Sequence, residues 1–149
     1  MFARPSGCAR RRVAIGLALV GLGAFGCQSG APAASSTATF LLGGTGWRAV
    51  EIEGRATDPE VASTLAFEGD QRASGSTGCN RYTAPLSVTG TSIRLDVIAM
   101  TRRACPPAVM DQETRFTVAL EAARGYRQEG DGLTLLDEQG RPLLRFTRA

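Results

Sequence analysis

Any chemistry this chain performs is done without histidine or lysine. The sequence has no His, and all 17 of its basic residues are Arg. That excludes a Ser-His-Asp or Cys-His catalytic system and a His metal site. It also excludes a Schiff-base lysine and the lysine of a phosphate loop. Gly43-Gly44-Thr45-Gly46 lacks that lysine and reads as linker, while Ser74 and Ser76 lie in no G-x-S-x-G frame. Three groups of reactive residues remain: four cysteines (Cys8, Cys27, Cys79 and Cys105), the arginines Arg81, Arg102 and Arg103, and Glu113.

The cysteines are read through the N-terminus. Residues 1 to 12 are basic, and Val13 to Gly26 is an apolar run of 14 residues. A membrane span needs about 20 apolar residues, so the run fits the h-region of a signal peptide. Ala24-Phe25-Gly26-Cys27 resembles a bacterial lipobox. Gly26 fits the pattern, Ala24 stands where Leu is commoner, and Phe25 is a departure. In such signals the Cys thiol takes a diacylglycerol, so Cys27 is the expected lipid attachment site and new N-terminus. Cleavage nearby without a lipid is the alternative. Residues 28 to 45 are rich in Ala, Ser, Gly, Thr and Pro and carry no charge, the composition of a flexible tether. The expected organisation is a signal peptide over 1–26, a linker over 27–45 and a folded domain over 46–149.

With Cys8 discarded and Cys27 lipidated, Cys79 and Cys105 remain, an even number in an exported chain. An oxidising compartment favours a disulfide between them. The alternative, a thiol-dependent enzyme using Cys79 or Cys105, has no C-x-x-C spacing and no His to activate a thiolate. A bridge would draw the segment around Arg102 and Arg103 towards Asn80 and Arg81. Asn80 in a glycine-rich turn has a structural reading, since Asn closes turns and tolerates left-handed dihedrals. Its functional reading is a recognition spot shared with Arg81 and Arg102, because guanidinium pairs bidentately with carboxylate or phosphate. Glu113 falls on the apolar face of a helix. It is expected to pair with an Arg or to cap a backbone amide rather than act as an acid, and no second carboxylate stands at a glycosidase spacing.

The elements that position these residues are mostly short strands. Trp47–Glu53 reads as a strand ended by Gly54, with a turn at Asp58-Pro59. Leu65 and Phe67 mark a second strand and Gln71–Ser74 a third, followed by a tight turn over Gly75–Asn80. Tyr82–Val88 and Ser92–Ile98 form a hairpin about Thr89-Gly90. Pro106-Pro107 opens a helix in which Val109, Glu113, Phe116, Leu120 and Ala123 share a face. Asp111 and Glu113 are placed early, where carboxylates complement the dipole, and Gly125 is the expected stop. Tyr126–Glu129, Leu133–Leu136 and Leu143–Arg148 complete about eight strands. Short turns imply antiparallel pairing. The helix must bury Phe116 and Leu120 against the sheet or plug an open barrel.

Ser74-Gly75-Ser76-Thr77-Gly78-Cys79-Asn80-Arg81-Tyr82 resembles the SGxxGCNxY signature of the META domain family, the HslJ-like proteins. Trp47, Phe67, the run Ile98 to Cys105, the helix residues Glu113, Phe116 and Leu120, and then Tyr126, Leu133, Leu135 and Phe146 match in order. Ala84-Pro85-Leu86 departs from the family's usual Gly-x-Tyr. The resemblance spans about residues 46 to 149. It implies an α+β fold, an antiparallel, partly open barrel with one helix. It also implies a bacterial envelope setting, often as a lipoprotein, with links to heat shock or antibiotic tolerance and no established enzymatic activity.

The expected function is therefore non-catalytic: a lipid-anchored envelope protein that acts by binding, facing the periplasm, with the outer membrane preferred over the inner. The alternative location is soluble, periplasmic or secreted. Inhibition of an envelope-targeting hydrolase, a lysozyme or protease, is the rival binding role. No cofactor or metal is expected. Expected partners are the membrane, through the lipid, and an envelope protein or anionic ligand. Four arginines (Arg4, Arg10, Arg11 and Arg12) precede the apolar run. The rest of the chain has 13 basic against 14 acidic residues, a net of −1, so nucleic acid is not expected as a partner.

Overall fold

The computed structural model describes residues 42–149. The signal segment, Cys8, Cys27 and the tether up to residue 41 lie outside the described residues. Ten strands and one helix follow in order. The strands are β1 (Gly46–Ile52), β2 (Arg55–Ala56), β3 (Thr64–Glu68), β4 (Arg72–Ser76), β5 (Arg81–Thr89), β6 (Ser92–Leu95) and β7 (Ala99–Met100), then β8 (Gly125–Glu129), β9 (Gly132–Leu136) and β10 (Pro142–Arg148). The helix α1 (Pro107–Ala122) lies between β7 and β8.

Eight of these strands close a barrel in the order β10-β9-β8-β6-β5-β4-β3-β1, and β1 returns to β10 through five residue pairs. All pairings are antiparallel. The barrel is closed rather than partly open. Its thinnest seam is between β6 and β8, which share the single pair Ser92–Gly125. The short β2 and β7 hang on β1 and β5. Eight strands leave an interior just wide enough for side chains to fill, and strand alternation supplies them. Tyr82, Ala84 and Leu86 of β5 point inward while their neighbours face solvent. In β1 a bulge between Ala49 and Glu51 resets the alternation, so Ile52 is buried again.

The helix seals this interior. It packs on β1, β6 and β10 and buries Phe116, Ala119 and Leu120 completely. Phe116 stands between Tyr82 of β5 and Phe146 of β10, edge to face with both, at 6.1 and 6.2 Å between ring centres. Strands β5 and β10 lie on opposite sides of the barrel, so this one ring spans it. The linker's last residues already belong to the fold. Leu42 is buried, and Gly44 and Thr45 exchange backbone hydrogen bonds with Phe67.

Four local expectations change. The third strand runs on to Ser76, so the tight turn begins at Thr77. The strand expected over Ser92–Ile98 stops at Leu95, and Ala99–Met100 pairs with Thr83 and Tyr82 instead. The helix has no acidic residue in its first turn. Asp111 instead pairs with Arg115 one turn on, and Glu113 faces inward. Finally, α1 ends at Ala122 before an extended Ala123, and Gly125 opens β8 rather than closing the helix.

Candidate functional site

The turn Thr77–Asn80, the strap formed by residues 98–105 and the first half of α1 meet at one place. Cys79 and Cys105 are joined by a disulfide with Cα atoms 6.0 Å apart. Neither sulfur is therefore a free thiol. The bridge closes a loop with a sequence separation of 26, worth about 3.5 kcal/mol in the chain-entropy account.

Glu113 projects from α1 into this junction and is 6% exposed. Its Oε2 accepts from the hydroxyl of Thr77, from the backbone amide of Asn80 at 3.0 Å and from Asn80 Nδ2 at 3.0 Å. Its Oε1 accepts from Asn80 Nδ2 at 2.9 Å. Every group facing it is a donor, which suits a carboxylate, an acceptor on both oxygens. No arginine pairs with it among the described residues, so of the two expected roles the amide cap is the one realised. The preceding residue, Gln112, performs the same task on the neighbouring loop. Its Oε1 accepts from the Asp58 amide at 2.8 Å, and its Nε2 donates to Val61 O and to Ser63 Oγ. Two adjacent buried polar side chains thus fix two loops to one helix.

Asn80 carries the clamp across to the strap. Its Oδ1 accepts from Thr101 Oγ1 at 2.9 Å and from the Arg103 amide at 2.7 Å. The Arg81 amide donates to Thr101 Oγ1, and the Thr101 amide donates to Arg81 O. One buried side chain therefore holds both neighbours of Arg102, Thr101 through its hydroxyl and Arg103 through its amide. The glycines of the turn are equally structural. Gly78 has φ +107°, and a Cβ there would lie 2.4 Å from Val61. A Cβ on Gly75 would lie 2.1 Å from the carbonyl oxygen of Thr64, the same oxygen that accepts from the Tyr82 hydroxyl at 2.9 Å. Burial pushes the Tyr82 hydroxyl's pKa far above its ordinary value, so it stays a neutral donor.

A cleft of about 740 Å³ opens between the strap and α1. Asn80 and Glu113 line it, with Ile98, Met100, Met110, Arg102 and Arg103 among the others. A shallower groove of about 290 Å³ shares Ala99, Met100 and Thr101 with it and is lined by Arg81. The structure thus brings Asn80, Arg81 and Arg102 into one region, but Asn80 is buried in the clamp and Arg81 borders the second groove. Arg81, Arg102 and Arg103 are exposed. None of their guanidinium groups pairs with a carboxylate among the described residues, a state shared by Arg48, Arg55, Arg72 and Arg124, whereas Arg94, Arg115, Arg127, Arg141, Arg145 and Arg148 do pair. Sequence reasoning missed Met110 and Ile98 as lining residues. Their signal, apolar residues flanking an arginine pair, is legible only once the strap is known to leave β6.

No group of His, Cys, Asp and Glu among the described residues is arranged to hold a metal ion. No helix among them is long and apolar enough to cross a membrane.

The family model that matches the chain is that of the META domain, over residues 40–149. No curated protein matches. Three solved structures share the fold. An NMR structure of a protein from Burkholderia xenovorans is 25% identical with a TM-score of 0.61, covering 75% of this chain and 86% of that one. A second NMR structure is 18% identical with a TM-score of 0.59, covering 73% and 92%. The crystal structure of a DUF4847 family protein from Bacteroides vulgatus is 13% identical with a TM-score of 0.60, covering 74% and 96%.

Proposed function

The chain belongs to the META domain family, and on that footing we propose that it is a non-catalytic binding module of the bacterial envelope. In this reading it is tethered to the membrane through a lipid on Cys27, faces the periplasm and serves in tolerance of heat or antibiotic stress. The observation that carries the binding role is the contrast in how polar groups are used. The polar side chains of the turn, Thr77 and Asn80, and the Glu113 that faces them are consumed by one another, while the guanidinium groups of Arg81, Arg102 and Arg103 stand exposed without a carboxylate partner beside a cleft. The anchor rests on the lipobox-like Ala24-Phe25-Gly26-Cys27 and the uncharged tether after it.

The test is complementation in the source bacterium. A strain lacking the chain is challenged with heat and with an antibiotic, then supplied with the wild type, Cys27→Ser or Arg81→Gln/Arg102→Gln. The wild type is expected to restore survival. The arginine variant is expected to fail although it accumulates normally in the envelope, and Cys27→Ser is expected to leave the membrane fraction and to protect poorly. Full protection by the arginine variant overturns the binding face. Retention of the Cys27→Ser protein in the membrane overturns the anchor.

A further inference from the structure

Resting on that reading of the strap as a binding face, we propose that the cleft between the strap and α1 takes an organic acid: an apolar body carrying one anionic head. Four observations converge on it. The cleft, at about 740 Å³, lies within the range of small-molecule sites, roughly 300 to 1,000 Å³. Its wall is supplied by Ile98, Met100 and Met110, each half-buried. The two thioether chains adapt to irregular apolar shapes at little cost.

Its border carries Arg102 and Arg103, exposed and without a carboxylate partner among the described residues. Guanidinium is the side chain best matched to a carboxylate, sulfonate or phosphate, through paired parallel hydrogen bonds. The one carboxylate on the lining, Glu113, has both oxygens turned to Thr77 and Asn80, so it does not answer the arginines. Finally, the backbone beneath them is fixed before any ligand arrives. Asn80 Oδ1 holds Thr101 and Arg103, and the disulfide holds Cys105. Binding then pays little for ordering the chain.

An acid of this kind has two sources near an envelope protein, a free amphipathic acid or the head of an anionic phospholipid. Both present the same chemistry to Arg102 and Arg103.

The experiment uses a matched pair of fluorescent probes on the full exported chain carrying Cys27→Ser. The first is 1-anilinonaphthalene-8-sulfonate. The second, N-phenyl-1-naphthylamine, has the same ring system without the sulfonate. The sulfonate is expected to bind with a 1:1 stoichiometry and at least about tenfold more tightly than its neutral counterpart, the gain of one charge-assisted contact. Arg102→Gln/Arg103→Gln is expected to erase that difference without moving the urea midpoint, and Met110→Ser to weaken both probes together.

Dodecanoate and phosphatidylcholine vesicles containing phosphatidylglycerol are then compared as competitors. Displacement by either supports the proposal, and which one displaces identifies the source. Equal binding of both probes, insensitive to the arginines but lost in Met110→Ser, overturns the acid while leaving a binding cleft in place. Failure of both probes to bind the folded chain overturns the cleft as a ligand site and the small-ligand form of the binding reading with it.

Discussion

The turn Thr77–Asn80 and the strap 98–105 are joined by the bonds of Asn80 to Thr101 and Arg103 and by the Cys79–Cys105 bridge, yet they treat polar groups in opposite ways. In the turn every polar side chain is buried and answered. Thr77 and Asn80 bond to Glu113, and Asn80 bonds on to the strap. On the strap the Thr101 and Arg103 amides are answered and the charged ends are not. Buried polar groups cost little only when satisfied, and a satisfied network specifies one geometry. An exposed guanidinium, by contrast, stays hydrated and adds almost nothing to folding. The turn is therefore architecture and the strap is what the architecture presents.

The largest way to break this contrast is at Glu113. Glu113→Ala removes the acceptor shared by the Thr77 hydroxyl, the Asn80 amide and Asn80 Nδ2, leaving them only their second partners, Asn80 O, Thr77 Oγ1 and Arg103 O. The expected loss is about 3 to 5 kcal/mol in urea unfolding, that of a few hydrogen bonds to a charged acceptor at about 1.5 to 3 kcal/mol each. Glu113→Gln keeps the shape but turns a donor towards donors, and is expected to cost about 1 to 3 kcal/mol. A loss below about 0.5 kcal/mol for the alanine variant would show that the clamp does not hold the turn.

The disulfide tests the other tie between the two regions. Replacing Cys79 and Cys105 together by Ser is expected to lower stability by about 3.5 kcal/mol, because the unfolded chain regains the loop's freedom. The same change frees the C-terminal end of the strap. It should therefore raise hydrogen exchange at the Arg103 amide, which Asn80 Oδ1 accepts, more than at the Asn80 amide, which Glu113 still holds. Equal protection across both regions would mean that the turn relies on the bridge as much as the strap does.

How much of this was legible in the sequence follows the same division. The barrel strands, the Phe116/Leu120 face and the Cys79–Cys105 pairing could be read because alternation, helical spacing and cysteine parity are local or countable. Closure of β1 onto β10 could not, because it depends on strand twist and on a bulge at Ala49–Glu51 that no pattern announces. Glu113 was visible as an oddity on an apolar face, but its partners are residues 77 and 80, more than 30 positions away. Asp111 shows the opposite error: a carboxylate near a helix start suggested a dipole role, yet it lies beyond the first turn and meets Arg115. The strand expected over Ser92–Ile98 overran β6 because Val97 continues the alternation of Ile93 and Leu95. The pairing of Ala99–Met100 with Thr83 and Tyr82, and the Arg81–Thr101 hydrogen bonds, show that the chain has crossed to the start of β5.

A smaller effect separates a second charged group, half-buried and paired, from the strap's arginines. Asp137 in the β9–β10 turn accepts from the amides of Gln139 and Arg141 and from the Arg141 side chain. Desolvation acts to raise its pKa, but the hydrogen bonds and charge of Arg141 with the Gln139 amide outweigh it, and the net pKa is lowered. A carboxyl with a lowered folded pKa binds its proton more readily when unfolded. Its stabilising effect is thus complete above the ordinary value of about 3.9 and is lost as pH falls through the folded value. Asp137→Asn is expected to flatten that acid limb of the stability curve slightly while leaving it unchanged at neutral pH apart from a constant offset. An unaltered limb would place the acid sensitivity elsewhere.

The smallest expected effect is also the most discriminating. Arg81→Gln/Arg102→Gln removes two exposed charges that pair with no carboxylate, so the urea midpoint should shift by less than about 0.5 kcal/mol equivalent, the usual range for surface substitutions. The backbone amide and carbonyl of Arg81, which bond to Thr101 of the strap, are untouched by the change. A loss above about 1 kcal/mol would mean that these side chains support the strap, and the division between turn and strap would fail on its own terms. A neutral result, set beside the cost of Glu113→Ala, leaves the arginines as charges the fold carries without needing them, and the reason for keeping them would then have to lie in what they meet outside it.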